Sequence, residues 1–194
     1  TKKLMKSQIT IKKIQELLIK GVQTIYVDDD TSRRMWWASL EVIQKDFLSQ
    51  NYKQGGIWVA SPLPAFNDKK FLNQLHGWLW SPEGFPYFQN ENAGFLPVNN
   101  SEKIKKDFDL VSNYKVLNLC QEDGYEPFLM IITPNFQCVL SIVGEKDKKI
   151  LLMKCDEESL KLSIELMHAK LNQENYEEGV KFRNAINNLG NLNI

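Results

Sequence analysis

The sequence predicts an α/β (α+β) fold: a mixed sheet flanked by helices, with an antiparallel meander late in the chain and a C-terminal helical hairpin. Three observations carry this. A β-branched run at residues 22–27, a helical stretch and a second apolar run at 57–61 give the order strand, helix, strand of a parallel βαβ unit. Three apolar runs between residues 126 and 155 are parted by Pro134-Asn135 and by Gly144-Glu145-Lys146-Asp147, which describes the meander. From Asp156 the apolar period becomes helical and stays so nearly to the end. The division implied is an α/β domain over 1–156 and a hairpin over 157–194.

Each element has its local reason. Ile11, Ile14, Leu17 and Leu18 share one helical face, with Thr10 placed to cap the start and Gly21 past the end. "VQTIYV" (22–27) reads as a strand, Asp30 as the cap of the next helix, and Trp36, Leu40, Ile43 and Phe47 as that helix's apolar face. Gly55-Gly56 ends it, and "IWVAS" (57–61) is a strand. "NDKKFLNQLHGWLW" (67–80) aligns Phe71, Leu72, Leu75 and Trp78 at helical spacing, so a helix is expected there. Residues 81–100 hold three prolines, two glycines and four aromatics, the mark of a long ordered loop. A helix with Ile104, Phe108 and Val111 inward and a strand at "KVLNLC" lead to the meander. At the end, Leu160, Ile164, Met167 and Leu171 share a helical face; Asn172-Gln173 breaks the helix; Tyr176, Val180, Phe182 and Ile186 supply the next apolar positions.

Composition excludes several classes. The 194 residues are 43% hydrophobic and 25% charged, the balance of an ordered globular chain. The 24 basic and 24 acidic side chains cancel, leaving no global field to attract nucleic acid or an anionic membrane. Cys120, Cys138 and Cys155 are odd in number and lie inside apolar runs, as expected of reduced, buried thiols in a cytosolic-type compartment. With His76 and His168 the only histidines and no CxxC pair, neither a metal nor a cofactor is expected. No apolar run approaches the roughly 20 residues of a membrane span. The first residues do not read as a signal peptide, and Thr at position 1 leaves room for a processed or trimmed form.

Asp28-Asp29-Asp30 is the sharpest candidate for chemistry. Tyr26-Val27-Asp28-Asp29 resembles the paired-aspartate motif of reverse transcriptases, which hold two metal ions. Such an enzyme needs a further aspartate on another strand and a much longer chain. A phosphoacceptor site like that of receiver domains needs a regular βα alternation, which the meander interrupts. The reading adopted is structural: a helix cap, with Arg33 and Arg34 as ion-pair partners. An enzyme using this cluster with a divalent metal is kept only as an alternative. The sequence has no phosphate loop, nucleophile elbow or zinc helix. The aromatic concentration is more unusual. Trp36 and Trp37 stand about 100° apart on a helix, so both cannot face one core. Trp78, Trp80, Phe85, Tyr87, Phe88 and Phe95 form a candidate pocket for a flat ligand or pigment.

The C-terminal stretch "AKLNQENYEEGVKFRNAINNL" resembles the UVR motif of the excision-repair proteins UvrB and UvrC. The match is at Asn175-Tyr176-Glu177, Gly179, Phe182-Arg183 and Ile186; Gly179 and Asn184 depart from the family's usual alanine and aspartate. The resemblance spans about thirty residues. It implies a protein-docking element, with Tyr176, Val180, Phe182, Arg183 and Ile186 as the interaction surface. The body of the chain is similar in pattern to GAF- or DICT-type sensory domains of cyanobacterial and plastid signalling proteins. The expected function is therefore regulatory and non-enzymatic, through contact with another protein or as a homodimer. Small-molecule sensing is the second expectation.

Overall fold

The computed structural model describes residues 8–23, 25–48, 55–63, 65–66, 74–83 and 114–190. Its centre is a six-stranded mixed sheet in the order β3-β2-β1-β4-β5-β6. The strands are β1 (Ile57–Ser61), β2 (His76–Ser81), β3 (Tyr114–Asn118), β4 (Phe128–Ile132), β5 (Gln137–Glu145) and β6 (Lys148–Lys154). β1, β2 and β3 pair in parallel, whereas β1–β4, β4–β5 and β5–β6 are antiparallel. The helices are α1 (Ile11–Leu18), α2 (Asp29–Val42, continued by a π-helical run Ile43–Leu48), α3 (Glu157–Glu174) and α4 (Tyr176–Asn187).

Side chains alternate across the sheet and are buried on both faces. Val59, Trp78, Trp80, Met130 and Val139 meet α1, α3 and α4 through Ile14, Met167, Leu171 and Phe182. Trp58, Leu79, Ile131 and Leu140 meet α2 through Trp36, Leu40 and Ile43. The hairpin thus packs on its own sheet and shares one core with it. α1 starts at the predicted cap, where Thr10 Oγ1 accepts from Lys13 N at 3.1 Å. The meander lies where the apolar runs placed it.

Three expectations are corrected. The described residues among 22–27 are not a strand: Val27 makes a lone bridge to Lys149, and Ile25 is 85% exposed. The next residue, Asp28, already caps α2, so no length remains for a ladder. The parallel strands are instead β1 to β3. The expected helix over 67–80 is overturned at its end, where residues 76–81 form β2; residues 67–73 lie outside the described residues. A strand buried on both faces is a continuous apolar run, and such a run can be mistaken for one side of a helix. The break between the last two helices lies at Asn175, not Asn172-Gln173, because Asn175 alone leaves the helical conformation. The loop expected at 81–100 from residue 84 on, and the helix expected at 101–111, lie outside the described residues.

Candidate functional site

α3 is fixed at its start by Asp156, whose Oδ1 accepts from Ser159 N at 2.9 Å. It ends where Asn175 turns extended, and the same residue caps α4 by accepting from Glu178 N at 3.3 Å. One residue therefore sets the hairpin angle. The buried sides are then fastened to β2 by two indoles. Trp78 Nε1–H donates to Glu178 Oε2 at 2.9 Å, and Trp80 Nε1–H to Glu174 Oε2 at 2.7 Å. Phe182 meets Trp78 edge-on, with ring centroids 5.3 Å apart. Lys170, fully buried, donates to Asp123 Oδ1 at 2.7 Å and Glu174 Oε1 at 2.6 Å, and sits 5.3 Å from the centre of the Trp80 ring. Asp123 also accepts from the Ile11 and Cys120 amides, so α1, the turn Gln121–Asp123, α3 and β2 meet in one satisfied polar knot. A buried ammonium is tolerated because two carboxylates and an aromatic face replace its water.

Between α4 and the start of β2 and β3 lies an open groove of about 510 Å³. His76, Trp78, Lys115, Glu178, Lys181 and Asn184 are among its walls. Burial alone would raise the Glu178 carboxyl, but hydrogen bonds from Lys181 and Trp78 bring it below its ordinary value. Both its oxygens are engaged: Oε2 by Trp78 and Oε1 by Lys181 Nζ at 2.7 Å. Glu178 is thus a fixed anion and not a spare base. Of the groove's cations, Lys181 is matched by this carboxylate, while Lys115 meets its field only at longer range.

On the outer side of the hairpin, His168 accepts from Arg183 Nη2 at its Nδ1, 2.8 Å away. A neutral imidazole has one acceptor nitrogen, so Nε2 must carry the hydrogen. The Asn172 amide 3.0 Å from Nε2 therefore satisfies both groups by turning Oδ1 toward it, an oxygen that otherwise is buried without a partner. Burial, and then Arg183, lowers the His168 pKa below its ordinary value.

The candidate residues fall as follows. Tyr176 and Val180 are exposed, at 73% and 39%, and Arg183 is exposed while bonded to His168. Phe182 is fully buried, so it is not the docking surface expected of it, because burial against Trp78 removes it from any partner; Ile186 is half-buried against the core. Trp78 lines the groove, with its ring almost wholly covered. Trp80 is fully buried beneath Lys170 and is no wall of an open pocket. Phe85, Tyr87, Phe88 and Phe95 lie outside the described residues. His76, Lys115, Glu178 and Lys181 were missed: they are scattered along the chain, and no local spacing links them.

In the acidic triplet, Asp28, not Asp30, is the cap, accepting from Thr31 N at 2.7 Å, and that hydrogen bond holds its carboxyl below the ordinary range. Asp29 pairs with Arg33 at 2.8 Å, and Arg34 donates to Thr31 Oγ1 at 3.2 Å. Among the described residues no three His, Cys, Asp or Glu side chains converge on a point that could hold a metal ion. As expected of adjacent positions, Trp36 is buried and Trp37 exposed. All three cysteines are free thiols, but Cys155 is exposed and Cys120 half-buried, so only Cys138 is a core thiol. No described helix is long and apolar enough to cross a membrane. No curated protein and no solved structure matches the chain. Residues 12–194 match the model of the family described as Domain of unknown function (DUF8628), and the chain belongs to that family.

Proposed function

We propose that the protein is a non-enzymatic regulatory domain that acts by contact with another protein or with a second copy of itself. The observation that carries this is the outer side of α4, where Tyr176 and Val180 stay exposed beside Arg183 while Phe182 anchors the same helix to the sheet. Large aromatic and aliphatic groups held in water by a rigid helix are typical of interaction surfaces. They are three of the five residues at which the UVR resemblance implies docking. On the same reading the chain works in a reducing compartment, the cytoplasm or a plastid stroma, where its free thiols persist. Native mass spectrometry of the full chain and of a Tyr176→Ala, Val180→Asp variant tests it. A dimer lost in the variant supports self-association. A monomer in both directs the test to partner proteins, whose binding the same variant must abolish.

The groove favours a second reading, small-molecule sensing, because its volume suits a compact ligand and an indole forms part of the wall. A ligand entering it changes tryptophan emission. Unchanged emission across a metabolite panel, with no added mass in native spectra, removes this reading.

A further inference from the structure

We propose that β3 receives an extended acidic peptide as a seventh strand, with alternate side chains of the peptide entering the groove beside α4. The proposal rests on the protein-contact reading and names the partner's chemistry.

β3 stands at the edge of the sheet, with β2 on one side only among the described residues. Its outward-facing backbone can be identified. Leu119 N–H donates to Ser81 O at 2.9 Å and so points toward β2. Peptide groups alternate in direction along a strand, so Lys115 and Leu117 also point toward β2, while Val116 and Asn118 turn N–H and C=O to the edge that no described strand covers. These are the groups that strand addition uses.

The side chains set what the added strand must carry. Lys115 is in register with Trp78 and shares its face of the sheet, the face covered by α4. Lys181 stands across the groove. Glu178, the carboxylate among these walls, already has both oxygens bound, which among the described residues leaves Lys115 without a close counter-ion. A carboxylate on the incoming strand beside Lys115 supplies one. A second copy does not: antiparallel pairing of two β3 strands about Val116 sets each Lys115 against the other's Leu117, and neither lysine gains a partner. Lysine on an edge strand also resists edge-to-edge association of identical sheets. The edge therefore disfavours its own kind and fits an acidic strand.

The test is selection from a phage-displayed library of random octapeptides on the immobilised full chain. Fluorescence anisotropy of the selected peptides on wild type, Val116→Pro and Lys115→Glu follows. Val116→Pro deletes an outward N–H and leaves the β2–β3 ladder its donors, so the fold is kept, as circular dichroism will check. The expected peptides alternate Asp or Glu with β-branched residues, and bind each variant at least tenfold more weakly. Hydrogen exchange at the Val116 and Asn118 amides slows in the complex. Peptides that bind both variants as well as wild type overturn the proposal, as does a library that yields none. Binding indifferent to Val116→Pro but lost in Tyr176→Ala, Val180→Asp overturns strand addition and leaves the protein-contact reading standing. If Val116→Pro does not fold, Lys115→Glu and the exchange pattern decide.

Discussion

Gly179 sits in α4, where alanine would ordinarily be worth about 1 kcal/mol in helix propensity. Here a Cβ would lie 1.9 Å from the end of the Asn172 side-chain amide and 3.1 Å from the Asn172 backbone nitrogen. Two helices close to that distance leave no room for a methyl group, and overpacking costs about 1–3 kcal/mol. Gly179→Ala should therefore lower the urea midpoint, and Asn172→Ala in the same chain should return part of the loss. A rise in the midpoint would mean that the helices can separate at no cost. His168 makes a second prediction nearby. Its folded pKa lies below the ordinary value of 6.5, so between the two values the unfolded chain binds more protons. Stability is then full above about pH 6.5, and falls as pH drops through the window down to the folded pKa. The protonated ring can no longer accept from Arg183, whose charge it then opposes. In His168→Gln the fall of thermal midpoint across this window should shrink; an unchanged profile would assign it to other groups.

The elements differ in how far they could be read locally. α1, the meander and the helix from Asp156 have causes within one or two turns, so caps and apolar periods place them. Asp28 and Asp30 are both followed three residues later by a donor amide, so sequence alone could not choose the cap. β2 is different in kind. "HGWLWS" carries no alternation because both faces of the sheet are covered, and Gly77 is there because the Trp58 ring lies where its Cβ would be, 2.2 Å away. That contact, like Trp78 with Glu178, joins residues far apart in sequence, which no spacing rule could foresee. The groove was invisible for the same reason. The knot at Lys170 tests how firmly these elements are joined. Lys170→Met keeps much of the volume but leaves the buried Asp123 without its cation and unpairs the partly exposed Glu174. Removing one partner of a buried pair costs about 3–5 kcal/mol, and the loss should appear as a lower denaturant midpoint at neutral pH. Replacing Asp123 with Asn in the same chain should restore part of it. A Lys170→Met chain as stable as wild type would show that water reaches the knot.

At the scale of the molecule the question is whether the hairpin is a detachable arm over 157–194 or part of one folding unit. Leu160, Met167, Leu171 and Phe182 belong to the same buried cluster as Trp78, Trp80, Met130 and Val139. Both β2 indoles donate to hairpin carboxylates, and the Lys170 ammonium donates to Asp123 and to the hairpin's Glu174. A chain ended at Leu171 loses Glu174, Glu178 and Phe182 together. It uncovers Trp78 and Trp80 and strips the knot of one carboxylate. Burying side chains of this size contributes about 1.5–3 kcal/mol each, and a whole domain is stable by only about 5–15 kcal/mol. The shortened chain should therefore lose its cooperative urea transition and its near-ultraviolet tryptophan signal, rather than merely losing a partner. If it keeps a sharp transition at the wild-type midpoint, the hairpin is an independent module, and the sheet must close over its exposed indoles by other means. This is why surface substitutions at Tyr176 and Val180, and not removal of the hairpin, separate docking from folding.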